Sequence, residues 1–298
     1  MILRIIKVML AYINYGCVES YGMKDNEVKQ INSHVCLPKT ILRGFEAYNE
    51  RLKRNRLYYL DFDTLVIKNS SAKFFNTEVG YYSKETEDSL SKEEEAGIGI
   101  AIAEIKAKLC DGLDCFALRP SSRRSVIRYF VYQLLRDDSM AERFVKEAPG
   151  MSDKTERQVK ELLIKLETNT GFLDELFDDI GMQFVLNKTP IPFLATASTS
   201  TYMADSEKYY IVELTLTPSI AVLLTNIESF KKILNTDEDY GYIVVEDEKW
   251  VREYNLSMLL EARNNKPHIL VSSSNKTIEQ ALLDEQQRAM TGKLPFSR

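Results

Sequence analysis

Three polar residues have side chains that could take part in chemistry, and two of them share one predicted helix. His34 is one of only two histidines, and an imidazole titrates near neutral pH, so it can act as a general acid or base. Arg136 follows Gln133 by about one helical turn, and an arginine fork binds phosphate or carboxylate. Each has a structural alternative: His34 can cap the next helix, and Arg136 with Gln133 can tie that helical region to a sheet. These residue types therefore allow catalysis without requiring it.

The same helix and its lead-in carry five arginines with no acid between them in the segment 119–136. Arg124 and Arg128 lie four residues apart and share a helix face with Tyr132, an arrangement that suits phosphate binding and base stacking. The alternative is a charged face that acidic runs elsewhere neutralise. The net charge of −5 gives no general attraction to polyanions, so nucleic-acid binding would depend on this Arg119–Arg136 patch.

Metal-assisted hydrolysis would need carboxylates that converge. Glu213 and Glu246, on separate predicted strands, could bracket a magnesium ion, with Glu95 and Asp205 as further candidates. The four cysteines lack the C-x-x-C spacing of zinc and redox sites and fit a reducing cytoplasm, which is the predicted location. We predict no metal site, and magnesium would be a cofactor only if the protein handles phosphate.

Helical periodicity dominates the middle of the chain. Isoleucine and leucine recur at helical spacing after a Ser91-x-x-Glu94 capping box, which predicts a helix over 91–109. Gly97 and Gly99 lie inside this helix. We interpret them as close-packing positions rather than a phosphate loop, because no strand precedes them and no third glycine follows. Further helices are predicted over 121–136 and 154–168, the latter capped by Ser152 or Asp153, with 172–177 extending the block.

Short runs of β-branched and aromatic residues flank this helical block. A hairpin over 57–67 precedes it, and the runs 183–186, 192–195, 209–214, 220–224 and 242–245 follow it. The chain ends with a helix (248–264), a strand (268–272) and a helix (277–290). Because helices and strands are segregated, the predicted fold class is α+β. The helical block (about 89–180) is packed with a largely antiparallel sheet formed by the N-terminal hairpin and the C-terminal half.

No internal repeat or low-complexity linker divides the chain, so we predict a single domain over 23–298. Residues 1–22 are interpreted as an N-terminal extension or an over-extended gene start, with Met23 as the alternative start. The apolar run at 8–13 lacks a signal-peptide cleavage site and is too short to span a bilayer. We therefore predict no association with a membrane.

Several segments, in order, resemble the mainly bacterial family called domain of unknown function 4238 (DUF4238). The match spans roughly 32–274 and consists of Ser33-His34 with Pro38-Lys-Thr-Ile-Leu-Arg-Gly-Phe45, Gln133-Leu-Leu-Arg136, Pro192-Phe-Leu-Ala-Thr196, Leu214-Thr-Leu-Thr-Pro218, and Asn255 with Ala262 and Ile269-Leu-Val-Ser-Ser273. The resemblance adds Asn255 to the candidate binding residues. It has two departures: His34 lies one residue further from Pro38 than is usual in the family, and Ala197-Ser198-Thr199 replaces an expected Asp-Asn-Pro.

Two functions remain open, and with them the question of whether the protein is an enzyme. The first is a ligand- or partner-binding, regulatory protein, which the lack of an intact catalytic set favours. The second is a nuclease or phosphate-handling enzyme, with a role in anti-phage defence, that uses His34 with Arg128 or Arg136. A pocket in which His34 and Arg136 meet with exposed polar heads would favour the enzyme.

Overall fold

The computed structural model describes residues 32–110, 118–147, 151–171, 174–197, 200–204, 209–235, 238 and 240–291, so the segment 1–22 discussed above lies outside the described residues. Two compact units make up the chain: unit 1 (Met1–Thr40, Asn76–Gly181 and Thr225–Asp239) and unit 2 (Ile41–Phe75, Met182–Leu224 and Tyr240–Arg298). Antiparallel sheets are packed against helices, so the predicted α+β class is confirmed. The single domain over 23–298 stays a prediction.

The described elements follow one another in this order: β1 (Asn32–His34), α1 (Lys39–Gly44), β2 (Ala47–Asn49), β3 (Arg54–Asp61), β4 (Val66–Ser70), β5 (Thr77–Val79), α2 (Lys84–Ser89), a π-helical turn (Leu90–Glu95), α3 (Ala96–Cys110), α4 (Pro120–Arg136), α5 (Asp138–Glu147), α6 (Glu156–Thr170), a 3-10 helix (Asp174–Asp179), β6 (Ile180–Asn187), β7 (Ala195–Thr196), β8 (Ser200–Ala204), β9 (Tyr209–Thr217), β10 (Ile220–Asn226), α7 (Ile227–Leu234), β11 (Tyr240–Val245), α8 (Glu248–Asn264), β12 (Leu270–Ser272) and α9 (Asn275–Thr291). None of the described helices combines the length and the apolar character needed to cross a bilayer.

Unit 1 is mainly helical, and its helix α4 matches the prediction over 121–136. Pro120 stands in the first turn, where its missing N–H costs no hydrogen bond, and a wide buried face runs from Val126 to Arg136. The helix predicted over 91–109 begins earlier than expected, because α2, the π-helical turn and α3 follow one another directly. Of the extension predicted over 172–177, residues 172 and 173 lie outside the described part, and a 3-10 helix covers the rest.

Two predicted helix caps are wrong. Ser91 lies inside the π-helical turn, and the cap of the preceding helix α2 is Ser83, whose side chain accepts the Thr86 N–H. The cap of α6 is Thr155, which forms a capping box with Gln158, rather than Ser152 or Asp153. Ser91-x-x-Glu94 matches the sequence of a capping box, but tertiary packing takes Glu94 into the interior instead.

The interpretation of the two glycines in α3 is confirmed. A Cβ atom on Gly97 would lie 2.8 Å from the Oγ atom of Ser125 on α4. A Cβ atom on Gly99 would lie 3.3 Å from a methyl group of Thr40. The glycines therefore let these segments of unit 1 approach closely, which agrees with a packing role.

Unit 2 contains two five-stranded sheets where the sequence predicted one. The first has the order β11-β6-β10-β9-β8, in which β11 and β6 are parallel and the other pairs are antiparallel. The second has the order β2-β3-β12-β7, with β4 also paired to β3. The predicted hairpin is β3 and β4, and through the pairing of β3 with β12 it shares its sheet with β12 and β7 of the C-terminal half, whereas the other C-terminal strands form the first sheet. The strand predicted over 192–195 shortens to Ala195–Thr196.

Candidate functional site

A group of buried polar side chains in unit 1 forms the strongest candidate site, and we call it the buried polar site. It contains the residues Ser33, Tyr82, Glu87, Glu94, Gln133 and Arg136. They come from β1, the segment before α2, α2 itself, the π-helical turn and the C-terminal end of α4. The predicted residues Gln133 and Arg136 therefore lie together, and four residues that sequence reasoning did not propose as site residues accompany them.

An ion pair between Arg136 and Glu94 forms the centre of this site. Nη1 of Arg136 donates to one carboxylate oxygen of Glu94 at 3.1 Å, and Nη2 lies 2.6 Å from the other oxygen, so both ends of the guanidinium face the carboxylate. The Arg136 side chain is 3% exposed and the Glu94 side chain is 0% exposed. The fork of Arg136 is thus already occupied by a carboxylate of the same chain and is not an exposed anion-binding group.

The π-helical turn places Glu94 in this position. The N–H of Ala96 donates to the carbonyl of Ser91, five residues earlier, instead of to a partner four residues earlier. Single π-helical turns inside α-helices are rare and occur frequently at functional sites. The unusual backbone therefore coincides with the buried carboxylate.

The electrostatics of the site follow from its burial. Burial raises the pKa of the Glu94 carboxyl to about 7, although Arg136 and Gln133 beside it act to lower that pKa. Burial also raises the pKa of Glu87, against a hydrogen bond from the Ser33 hydroxyl, and holds the pKa of Tyr82 well above its usual range. A carboxyl group whose pKa is raised to about 7 in a closed polar site, as that of Glu94 is, is one mark of a functional site.

Several polar atoms of the site are buried without a partner. Within the described part of the chain, no hydrogen bond is made by either polar atom of the Gln133 side chain, by the Tyr82 hydroxyl, by Oε1 of Glu87 or by Nε of Arg136. The Gln133 side chain stands close enough to Glu94 to lower its pKa, but not in hydrogen-bonding geometry. Since buried polar groups are nearly always hydrogen-bonded in folded proteins, these atoms call for a partner, which an internal water or a ligand would supply.

His34 does not contribute an exposed imidazole beside an exposed Arg136. It is half-buried in β1, where it pairs in register with Thr77. Its neighbour Ser33 is the β1 residue that reaches the site: its Oγ accepts the N–H of Tyr82 at 3.2 Å, and its hydroxyl bonds to Glu87. The arrangement that would favour the enzyme required exposed polar heads, and the head of Arg136 is buried.

The predicted arginine patch is largely tied to its own chain. Arg119 pairs with Glu104 at 2.8 Å, and Arg128 contacts Asp174 at 3.2 Å and lies over the ring of Phe177. Arg123 donates to the carbonyl of Ile180, and Arg124 is exposed on α4.

Tyr132 was predicted to stack on a base beside these arginines. Its side chain is buried, and its hydroxyl bonds to Thr168 at 3.2 Å. The ring therefore lies in the core rather than on the face of the patch, because the apolar face of α4 is wider than the periodicity suggested.

Asn255 and the proposed magnesium ligands lie in other surroundings. Asn255 in unit 2 is buried, accepts the Leu194 N–H at 2.8 Å and donates to the Pro192 carbonyl at 2.9 Å, so it ties the segment before β7 to α8.

Glu213 is on β9 and Glu246 follows β11, and the strands β6 and β10 separate them by roughly 14 Å across the sheet. The proposed pair therefore cannot bracket one ion.

The remaining carboxylates give no metal site either. Asp205 lies outside the described residues, and the Glu95 carboxylate accepts the Lys39 N–H at 2.9 Å. The described residues contain no group of three or more histidine, cysteine, aspartate and glutamate side chains that could hold a metal ion.

An open pocket of about 580 Å³ is a second feature of unit 1. Side chains from α5, from the start of α6 and from Tyr81 line it. Tyr81 is the chain neighbour of Tyr82, and their rings meet edge to face with centroids 4.8 Å apart. The pocket thus borders the segment that supplies Tyr82 to the buried polar site.

A signal for the buried polar site was present in the sequence. Glu94 lies four residues before Ile98, on the same apolar helical face as Ile102 and Ile105. An acid on a buried helix face needs a cationic or hydrogen-bonding partner. This need for a partner distinguishes Glu94 from a residue that only caps a helix. Nothing comparable marked Ser33 or Tyr82.

No protein-family model matches the chain, and neither the curated proteins nor the solved structures contain a match. The resemblance to the DUF4238 family therefore stays a prediction.

Proposed function

We propose that this protein is a non-catalytic, regulatory binding protein that holds a small uncharged ligand in the buried polar site of unit 1. The observation that carries the proposal is Gln133, which is 2% exposed while both polar atoms of its amide lack a hydrogen-bond partner among the described residues. Leaving such groups unsatisfied costs about 1–3 kcal/mol, and a ligand that supplies the partners removes this cost.

The chemistry of the open positions supports a carboxamide-bearing ligand. The Gln133 side chain offers one acceptor and two donors, the Tyr82 hydroxyl can donate or accept, and Nε of Arg136 can only donate. A carboxamide presents a donor and an acceptor side by side, which complements the amide of Gln133. A carboxylate ligand would face Glu94 and Glu87, and an ammonium ligand would face Arg136, so a neutral group suits the site better than either ion.

The state of the charged residues favours binding over catalysis. Arg136 is neutralised by Glu94, and both are closed off from solvent, so neither can reach a polymer such as a nucleic acid. The arginines at 119 and 128 have carboxylate partners in their own chain. The nuclease hypothesis, its link to anti-phage defence and its magnesium cofactor lack support of this kind.

Two broader parts of the proposal depend on sequence features. The resemblance to the mainly bacterial DUF4238 family supports a bacterial origin, and the spacing of the cysteines favours the cytoplasm. A regulatory role fits a site this closed, because a ligand enters and leaves it only through local opening of unit 1.

The test is thermal unfolding in the presence of acetamide, propionamide and nicotinamide, each titrated to saturation. A ligand that binds only the folded state at about 100 times its Kd stabilises it by about 2.7 kcal/mol, which corresponds to a rise in Tm of about 5 °C. We expect this rise for at least one amide, and we expect Gln133→Leu to abolish it. The matched control Gln183→Leu, in β6 of unit 2, should keep it.

Two results would overturn the proposal. The first is an equal rise in the Gln133→Leu variant, which would place any binding elsewhere. The second is no rise with any of the three amides in the unaltered protein, which would leave the buried polar site to internal water alone. Matched titrations with acetate and methylammonium check the charge argument, and either ion stabilising the protein as strongly as acetamide would contradict it.

A further inference from the structure

The open pocket of unit 1 carries an inference that does not depend on the buried polar site. Its volume of about 580 Å³ falls within the range of roughly 300–1,000 Å³ that small-molecule pockets occupy. Its lining includes three cationic side chains, Lys146, Lys154 and Arg157, together with the ring of Tyr81. The pocket therefore combines size with a concentration of positive charge.

Arg157 is held in place before any ligand arrives. Its guanidinium lies over the Tyr81 ring, 5.3 Å from the centroid, and it also donates to the carbonyl of Gly80. A cation fixed by a ring and a carbonyl loses little side-chain entropy when it binds an anion. Arg157 is thus preorganised as an anion-binding group.

The Tyr81 ring of the pocket is also held in place by a neighbouring side chain. Tyr81 hydrogen-bonds to Lys160, which is 1% exposed and pairs with Asp138. This pair of a buried lysine and a half-buried aspartate anchors the ring that supports Arg157. The wall of the pocket is therefore a built structure rather than a set of independent surface side chains.

The charges in the pocket do not cancel. The three cations face two acids, Glu142 and Glu156, which leaves an excess of one positive charge. Lys146 contacts Glu142 only at 3.9 Å, and its side chain is 74% exposed, so this pair is weak and easily exchanged for a ligand. The N-terminal end of α6, which begins at Glu156, adds positive potential on the same side.

We infer that this pocket binds a small molecule through a phosphate group. A guanidinium and two ammonium groups suit a tetrahedral oxyanion with more than one negative charge better than a single carboxylate. Arg157 supplies the fixed fork, and the two lysines supply mobile point charges, Lys146 from α5 and Lys154 from the segment before α6.

Isothermal titration of the full chain with inorganic phosphate, at constant ionic strength, tests this inference. We expect Arg157→Gln and Lys154→Gln each to raise the Kd about tenfold, because each removes one charge-assisted contact. The matched control is Arg124→Gln, which removes an exposed arginine of α4 outside the pocket and should change the Kd by less than about twofold. Malonate should bind more weakly than phosphate.

Three outcomes would overturn the inference. No heat of binding with phosphate would show that the pocket does not bind this group. An equal loss of affinity in Arg124→Gln would indicate general charge attraction rather than a site. Equal affinity for malonate and phosphate would remove the phosphate assignment. None of these results depends on Gln133, so they are distinguishable from a failure of the amide-binding proposal.

Discussion

The ionisation of Glu94 makes the stability of the protein depend on pH, and the variant Glu94→Gln isolates this effect. The pKa of Glu94 rises from 4.5 in the unfolded chain to about 7 in the folded protein. The folded state therefore binds the proton more tightly, so the stabilisation is fully present below pH 4.5 and is lost as the pH rises through about 7. At about 1.4 kcal/mol for each pH unit, the change amounts to about 3 kcal/mol.

Glutamine keeps the shape of the protonated carboxyl and cannot ionise. We therefore expect the free energy of unfolding of the unaltered protein to fall by about 3 kcal/mol relative to Glu94→Gln between pH 4.5 and pH 8. Comparing the two proteins at each pH removes the contributions of other groups, including Glu161, whose pKa is lowered by hydrogen bonds from Ser83 and by Lys165 despite its burial.

Urea unfolding at each pH, followed by circular dichroism and tyrosine fluorescence, measures this difference. The two signals should give the same midpoint if unfolding is cooperative. The control Glu78→Gln alters an exposed acid of β5 and should run parallel to the unaltered protein. If the free energy of unfolding of Glu94→Gln also changes with pH in parallel with that of the unaltered protein, the reasoning is refuted. That result would mean that Arg136 fully compensates the burial of Glu94. If the free energy of unfolding of the unaltered protein instead rises with pH relative to Glu94→Gln, the attraction between Arg136 and Glu94 exceeds the cost of burying Glu94.

Three further predictions concern packing and reactivity. Gly97→Ala should lower the free energy of unfolding by about 1–3 kcal/mol in urea titrations, and Ser125→Ala should restore part of the loss by removing the clashing Oγ atom. Asn255→Leu should lower it by about 3 kcal/mol, because two buried backbone groups lose their hydrogen bonds, whereas an unchanged midpoint would contradict that role. Burial raises the pKa of the Cys36 thiol to about 11, so iodoacetamide at pH 8 should label its peptide only after urea unfolding, as mass spectrometry would detect.

Local patterns in the sequence were enough to predict much of the fold. The apolar spacing in α4 and the turn between β3 and β4 each depend on residues close in the chain, as shown by the Asp61 carboxylate accepting the N–H groups of Asp63 and Thr64. The packing role of Gly97 was also predictable from the missing strand before it. Such features follow from backbone sterics and periodicity, which act over a few residues.

The candidate site was not predictable in the same way, because its contacts join distant parts of the chain. Arg136 meets Glu94 across 42 residues, and Arg128 meets Asp174 across 46. From the sequence alone, the arginines formed a basic patch and Glu94 a helix cap. Only the folded chain shows that the arginine charges are largely matched by acids and that Glu94 turns inward.

The sequence by itself determined the α+β class, the main helices and the residue types Gln133 and Arg136 as candidates. Tertiary structure decided which strands share a sheet, which charges are neutralised, and that Gln133 is buried beside Glu94 with its amide unsatisfied. The physical reason is that periodicity fixes which face of an element is apolar, whereas the partner of a charge or an amide depends on which elements meet. That choice is made by the packing of the whole unit.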